Sequence, residues 1–415
     1  MTFQSIFSTE LDLLEDSLLE DSDEEEEEFK KGVLLVCVLA EKYLSEKKTR
    51  KAIYVRERIE WEKHIQHLAE EGPEAFLRMY RMEYRSFRKL CNIISGKILV
   101  NDEMARLRTR KEGITVEIML HCLLRWLAGG SYLDIRLSAG ISPSYFYNSV
   151  YKCMDAILDS EELAYKFPST AKELEEAAQG FELLSTQAAI KGCVACLDGY
   201  LLQIKVPSRT ETGNVKAYFS GHYQTYGINV QAACDYKCRF VYAATAAPGG
   251  ANDIAAFRKI GLCEMIQKLP PKKFVVGDNA YICSETLLTP FSGVEKEDPA
   301  KDAFNFYLSQ LRIRIEQTFG LMTQKWRILR QPLQTHLDKV GTIFMCITRI
   351  HNFCINEDTE GYAIGTNDEV DQGGEDETMC LPIDVSGIAE SSVLRDIIVN
   401  DLVQRGLQRP TKLSK

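Results

Sequence analysis

The spacing of apolar residues changes near residue 190, and this change limits the folds open to the chain. Residues 74–165 carry apolar side chains three or four positions apart, which predicts an all-helical region. After residue 190, short apolar runs bounded by Gly, Pro and Asp predict strands, and longer periodic stretches predict helices. The predicted strands cover residues 192–204, 226–234, 239–247 and 273–276, and the predicted helices cover 252–262, 308–330 and 337–354. This order predicts an α/β fold, with a sheet flanked by helices, preceded by an all-α region.

The helical region contains a helix–turn–helix pattern. Residues 132–139 predict a short helix, Gly140 is the turn residue, and Ser142 with Pro143 marks the start of the next helix, which ends near residue 158. A helix–Gly turn–helix unit is typical of DNA-binding proteins. A plain helical bundle has the same spacing, and both interpretations stay open.

The second helix of this pattern would present Asn148 and Lys152 to a DNA groove. Lys152 is its only base, whereas phosphate contacts normally need several Lys or Arg side chains. A denser basic patch lies just upstream. It consists of Arg106, Arg108, Arg110 and Lys111.

Charge is segregated along the 415 residues, although the net charge is −10. Residues 1–28 carry twelve acids and no base, residues 356–394 carry eleven acids and no base, and residues 395–415 carry five bases and two acids. Residues 29–355 therefore carry a net charge of +10. Blocks of like charge predict tails, so we expect residues 1–28 to be disordered and residues 356–415 mostly disordered. The basic body between them can attract phosphates.

Composition predicts a soluble protein that is not secreted. The longest apolar run, residues 33–40, is far shorter than a membrane helix, and the acidic N-terminus fits no signal peptide. The 13 cysteines are scattered and odd in number, which predicts reduced thiols. The Cys193–Cys196 and Cys234–Cys238 pairs invite a zinc-site interpretation, but residues three apart on a strand face opposite sides, so buried thiols are expected.

Three acids occupy positions that point to a function. Two lie in or at the end of apolar runs, and the third lies one helical turn from an arginine. Asp198 interrupts one apolar run and Asp278 ends another, and both positions cost free energy unless they are compensated. Glu316 lies on a predicted helix beside Arg312, and Gly320 one turn beyond predicts close approach of another backbone. Three carboxylates of this kind can hold two Mg²⁺ or Mn²⁺ ions for in-line phosphoryl transfer. The alternative makes Asp198 and Asp278 turn-forming or capping acids.

Short motifs recur in a fixed order between residues 190 and 355. They are Leu197-Asp198-Gly199, Gly227-Ile228-Asn229-Val230-Gln231-Ala232, Pro248-Gly249 with Asn252-Asp253, Gly277-Asp278-Asn279-Ala280-Tyr281, Phe304-Asn305, Arg314-Ile315-Glu316-Gln317-Thr318-Phe319-Gly320 and Lys325-Trp326-Arg327-Ile328-Leu329. Together they resemble the transposases of the PIF/Harbinger group, which are DDE superfamily endonucleases with a ribonuclease-H-like core. The helical region also resembles the helix-turn-helix segment that precedes this core in the family.

The resemblance implies roles for individual residues. Asp198, Asp278 and Glu316 take the places of the three catalytic acids that bind two Mg²⁺ or Mn²⁺ ions. Asp253 matches half of a His-Asp pair found in relatives, but Asn252 replaces the histidine here. The residues expected to hold DNA phosphates in the core are Lys216, His222, Arg312, Arg314, Lys325, Arg327 and Arg330.

The domain prediction follows from these patterns. It comprises an acidic tail over 1–28, a helical segment over 29–73, a helix-turn-helix domain over 74–165, a linker over 166–189, a nuclease core over 190–355 and a tail over 356–415.

The expected function is a DDE transposase that cuts DNA and joins transposon 3′-OH ends to target DNA. The alternatives are a domesticated nuclease and a non-catalytic DNA-binding protein. By resemblance, a Myb/SANT-like protein is an expected partner, the chain acts as a homodimer or larger assembly on DNA, and no membrane is involved. We expect it in the nucleus, with some in the cytoplasm. The basic run 47–51 is either a nuclear localisation signal or a solvated helix face.

Overall fold

The computed structural model describes residues 28–29, 31–39, 57–98, 100, 102–109, 113–357 and 392–410. The chain divides into two compact units, residues 1–57 and 58–415. In the first unit, residues 31–39 are helical. Most of the acidic stretches, the basic run 47–51, Arg110 and Lys111 lie outside the described residues, as does the side chain of Arg108. Among the described helices, none is both long and apolar enough to cross a membrane.

Seven helices form the helical region of the second unit. They are α1 (Trp61–Glu71), α2 (Pro73–Tyr80), α3 (Tyr84–Ser95), α4 (Asp102–Thr109), α5 (Val116–Leu127), α6 (Tyr132–Ser138) and α7 (Pro143–Leu158). Arg81 takes a left-handed conformation with φ 62° and ends α2, which separates it from α3. Where the sequence encodes caps, the predicted boundaries are confirmed. The Ser131 and Ser142 side chains accept hydrogen bonds from the backbone of α6 and α7.

A six-stranded mixed sheet forms the centre of the region that follows. Its strands are β1 (Cys193–Gln203), β2 (Phe219–Ser220), β3 (Thr225–Cys234), β4 (Phe240–Pro248), β5 (Phe274–Val276) and β6 (Leu287–Leu288). The strand β3 pairs antiparallel with β1, with β4 and, near its start, with β2. The strands β1, β5 and β6 are parallel neighbours. This mixed sheet is consistent with the expected ribonuclease-H-like fold.

Helices cover both faces of the sheet. They are α8 (Ala171–Glu182), α9 (Asp253–Phe257), α10 (Leu262–Gln267), α11 (Pro299–Lys325), α12 (Leu337–Asn356) and α13 (Val393–Gln404), and a 3₁₀ turn (Arg327–Arg330) follows α11. Along β1, Val194 and Leu197 lie in one apolar layer with α8, while Cys193 and Cys196 lie in the opposite layer with α11 and α12. The two members of each pair are three residues apart and still share a layer, because a register shift between Cys193 and Ala195 interrupts the alternation of the strand.

Three stretches differ from the sequence-based expectation. The stretch 166–189, expected as a linker, contains α8, which begins with a capping box between Thr170 and Glu173. The expected helix over 252–262 is two short helices, α9 and α10. The expected C-terminal tail contains α13, which packs against α11.

The helical region and the sheet region share one hydrophobic core. The helix α7 packs against α12, and the turn Arg327–Arg330 packs against α5. Phe146 and Cys153 of α7 belong to the same buried cluster as Phe344 and Ile347 of α12. The helices are therefore fixed to the sheet by core packing.

Candidate active site

Asp198 and Asp278 lie at the same edge of the sheet because β1 and β5 run parallel. The register pairs Cys196 with Val276, and each carboxylate follows two residues later. The backbone N–H of Gly199 donates to Asp198 Oδ1 at 2.8 Å, and that of Ala280 donates to Asp278 Oδ1 at 2.9 Å. The parallel register thus brings two distant acids together.

Burial and neighbouring carboxylates raise the free energy needed to ionise Asp198 and Asp278. Burial raises the pKa of Asp198 to about 7, with a further contribution from the Asp278 charge, while Gly199 N–H and Arg312 act in the opposite direction. Burial also raises the pKa of Asp278, helped by Asp253 and Glu316. Like charges held in a partly desolvated site favour a cation between them.

Glu316 reaches this site from α11. Its side chain is 48% exposed and forms an ion pair with Arg312 at 2.5 Å, one helical turn away. Its charge contributes to the raised pKa of both Asp198 and Asp278, whereas Arg312 lowers both. The charge of Glu316 therefore acts on both aspartates, and Arg312 is the counter-charge of the site.

A fourth carboxylate, Asp253, is held in place by amides on β3. Asn229 Nδ2 and Gln231 Nε2 both donate to Asp253 Oδ1 at 2.9 Å. The Tyr281 hydroxyl donates to Gln231 Oε1 at 2.7 Å. No individual role is predicted from the sequence for Asn229, Gln231 or Tyr281. The available signal was two amide side chains, two positions apart, on one face of an otherwise apolar strand.

Tyr223 also faces the carboxylates. Burial raises its pKa, and the charges of Asp198, Asp253 and Asp278 raise it further. Its side chain is nevertheless largely exposed, and the ring of His222 contacts it edge-on, with 4.6 Å between ring centroids. The predicted DNA contact His222 therefore contacts a tyrosine that senses the charges of the site.

The donor chemistry of the site fits a hard divalent cation at Asp198 and Asp278. Both side chains offer carboxylate oxygens, and both carry a raised pKa that a cation would relieve. Glu316 would have to exchange Arg312 for a metal. Across the described part of the chain, no three His, Cys, Asp or Glu residues come close enough to form a ready metal cage.

The predicted DNA contacts divide into surface and interior positions. Arg314 and Lys325 are each only 9% exposed, so their predicted phosphate contacts do not agree with their placement. Two residues apart on a helix point to nearly opposite sides, so Arg314 faces the sheet while Arg312 faces the carboxylates. The exposed predicted contacts are Arg106 on α4, Asn148 and Lys152 on α7, Lys216 after β1, and Arg327 and Arg330 after α11.

Other sequence interpretations are settled by burial. The four cysteines considered for zinc are buried free thiols. One apolar stripe of α11 and the turn after it is buried from Leu311 to Leu329, and it includes Trp326. The expected backbone approach at Gly320 is wrong, because a Cβ there would meet nothing within 4 Å in the described residues.

Comparison with known proteins agrees with this geometry. Residues 197–352 match the DDE superfamily endonuclease family. The chain is 22% identical over 304 residues to a protein of Rattus norvegicus named "Putative nuclease HARBI1", covering 71% of this chain and 84% of that protein. The Mus musculus protein of the same name is 21% identical over the same shares. No solved structure matches the chain significantly.

Proposed function

Since residues 197–352 match the DDE superfamily endonuclease family, we propose that the chain cuts DNA phosphodiester bonds with Asp198, Asp278 and Glu316 as its catalytic acids. The observation that carries this proposal is the parallel register of β1 and β5, which sets Asp198 beside Asp278 at the sheet edge. An acid pair of this kind, with raised pKa values and a third acid opposite, is what metal-dependent phosphoryl transfer requires.

The chain's own residues prepare the site for Mg²⁺ or Mn²⁺, which we propose as a pair. Asp198 and Asp278 supply oxygen ligands, and their backbone hydrogen bonds from Gly199 and Ala280 fix the direction of each carboxylate. Glu316 would be the third ligand if it gave up its ion pair with Arg312, whose guanidinium would then be able to bind a phosphate. When bound, divalent cations lower the pKa of the attacking water or hydroxyl and stabilise the leaving oxygen.

Joining a released 3′-OH end to target DNA is the finer proposal, by resemblance to the PIF/Harbinger transposases. A nuclease without transposition is the second candidate, and the name of the two mammalian relatives, a nuclease, favours it. A non-catalytic DNA-binding role is the third, and the intact set of acids argues against it.

Replacement of Asp198 by Asn should abolish metal-dependent cutting and leave most DNA binding intact, because it removes a metal ligand without adding bulk. The measurement is cleavage of transposon-end DNA in Mg²⁺ or Mn²⁺, with and without target DNA. Asp396→Asn is the control, since Asp396 is an exposed acid on α13. Joined products would identify a transposase, and cut but unjoined DNA a nuclease. Undiminished cutting by Asp198→Asn would rule out the assignment.

Partner and location remain proposals that rest on the family resemblance. We propose that a Myb/SANT-like protein recognises the DNA ends, that the chain works as a homodimer or larger assembly, and that it acts in the nucleus. The low basicity of α7, with Lys152 as its only base, supports dependence on a partner. Tight, specific binding of end DNA by the purified chain alone at physiological salt would contradict that dependence.

A further inference from the structure

Four arginines meet where the helical region joins the sheet region. Arg81 follows α2 and Arg125 lies on α5, while Arg327 and Arg330 belong to the turn after α11. Gly129, which has φ +98°, brings the end of α5 against this turn, because a Cβ on Gly129 would lie 3.0 Å from Cβ of Arg327. We call these four residues the arginine cluster.

Among the described residues, the positive charge of the arginine cluster is not neutralised by ion pairs, although Glu71 and Glu74 lie near Arg125. In the described part of the chain, no ion pair joins any of its four members to a carboxylate, and Arg81 Nε is buried without a hydrogen-bond acceptor. Arg125 shares a neighbouring cavity with Glu71 and Glu74, but Glu74 pairs with Arg78. Burial lowers the pKa of Arg81, and so do the charges of Arg327, Arg125 and Arg330. Like charges held together by core packing favour an anion.

A cavity of about 630 Å³ opens beside the arginine cluster. Arg327 and Arg330 line it together with Tyr132 and Tyr147, whose rings lie 5.4 Å apart. Arg330 is also anchored, since its guanidinium donates to the carbonyls of Thr323 and Gln324 at 3.3 and 3.4 Å. The cavity therefore combines fixed guanidinium groups with aromatic walls, which suits phosphates and the sugars between them.

We propose that the arginine cluster binds the phosphodiester backbone of double-stranded DNA and holds it against both the helical region and the nuclease region. This inference rests on the proposed function for the choice of DNA. Arg327 and Arg330 are already predicted to contact DNA from the sequence. The inference adds Arg81 and Arg125 to them as parts of one site. It also assigns the helical region a backbone-holding role that is independent of base reading by α7.

The test measures binding of a fluorescent 30-base-pair DNA duplex to the full chain. Fluorescence anisotropy reports the affinity at each of several NaCl concentrations. We expect Arg81→Gln and Arg327→Gln each to weaken binding about 3- to 10-fold and to reduce the salt slope by about 1. Arg78→Gln is the matched control, because Arg78 lies on α2, is exposed and pairs with Glu74. It should leave affinity and slope unchanged. Arginine-cluster variants that bind like the parent chain would overturn the proposal.

Two further arms keep this test separate from the proposed function. All binding is measured in the Asp198→Asn background with EDTA, so loss of affinity cannot result from cutting. Thermal unfolding checks each variant, and exposed Arg330→Gln replaces Arg81→Gln if the latter does not fold. If Asp198→Asn still cuts DNA, the proposed function fails while weaker binding by the arginine variants still supports the cluster. Stronger competition by an RNA duplex of equal length than by DNA would overturn the assignment to DNA.

Discussion

The candidate active site depends on the absence of a side chain at Gly199. A Cβ at this position would lie 2.4 Å from Asp253 Oδ1 and 3.1 Å from Gln231 Nε2. Asp253 cannot move aside without losing its hydrogen bonds from Asn229 and Gln231. The glycine after Asp198 is therefore required by the packing of the fourth carboxylate against β1.

Gly199→Ala should destabilise the fold by about 1–3 kcal/mol and reduce cutting, because the added methyl group forces Asp253 away from its amide partners. Urea unfolding and the cleavage assay measure the two effects. Gly213→Ala is the control, since a Cβ there would meet nothing within 4 Å, and its stability should change by less than about 0.5 kcal/mol. Equal stability of the two variants would contradict the role of Gly199.

The sequence predicts the acids of this site better than their surroundings. Asp198 and Asp278 stand out because acids rarely interrupt or end apolar runs. The hydrogen bonds among Asp253, Asn229 and Gln231 depend on the pairing of β1 with β3 and on the position of α9, which one-dimensional spacing does not contain. The burial of Arg314 was likewise missed, because Arg314 lies two residues from Arg312 and two from Glu316, and both of these are more exposed.

Elements with encoded ends are predicted well, and elements stabilised mainly by packing are not. The starts of α6 and α7 follow from Ser131, Ser142 and Pro143. The helix α13 was not predicted, because it follows an acidic stretch without helical periodicity. Its residues Arg395, Ile398 and Leu402 nevertheless form one buried face. Arg395 stacks on the ring of Phe291, 3.8 Å from its centroid. The C-terminal helix is thus part of the folded body.

Leu402→Ala should cost about 2–5 kcal/mol of unfolding free energy, because Leu402 is completely buried and its removal leaves a cavity. The neighbouring Val403 is 57% exposed, so Val403→Ala should cost less than about 0.5 kcal/mol. Denaturant titration of both variants measures the difference. If the two variants are equally stable, α13 is not docked as described.

For the whole molecule, buried histidines make the free energy of unfolding depend on pH. His351 lies on the face of α12 that packs against the sheet, and it is fully buried. Its Nε2 donates to the Cys238 carbonyl at 2.9 Å. Burial lowers the pKa of His351 to about 4 and that of His121, in the helical region, to about 3. Between these values and the ordinary pKa of 6.5, the unfolded chain binds protons that the folded chain does not.

The contribution of the buried histidines to stability should therefore fall as the pH is lowered from 6.5 toward 4, by about 3 kcal/mol for His351. The raised pKa of Asp198 acts in the opposite direction over this range, so the histidine effect is measured as the difference between the parent chain and a His351 variant. Above pH 6.5 no stability is lost through His351, because the histidine is neutral in both the folded and the unfolded chain. The His351→Gln variant should show a shallower fall in urea-unfolding free energy over this range. Exposed His67→Gln serves as the control. A slope in His351→Gln as steep as that of the parent chain would contradict the assignment.

The continuous core between the helical region and the sheet has a consequence for where DNA is cut. Because α5 and α7 pack into the same core as α11 and α12, the arginine cluster cannot swing relative to the carboxylates. For a duplex held as proposed, the offset between the gripped phosphate and the scissile bond is set by the rigid dimensions of the protein. The chain would then act as a molecular ruler, and the position of its cut would follow from distance along the duplex instead of from the bases at the cut.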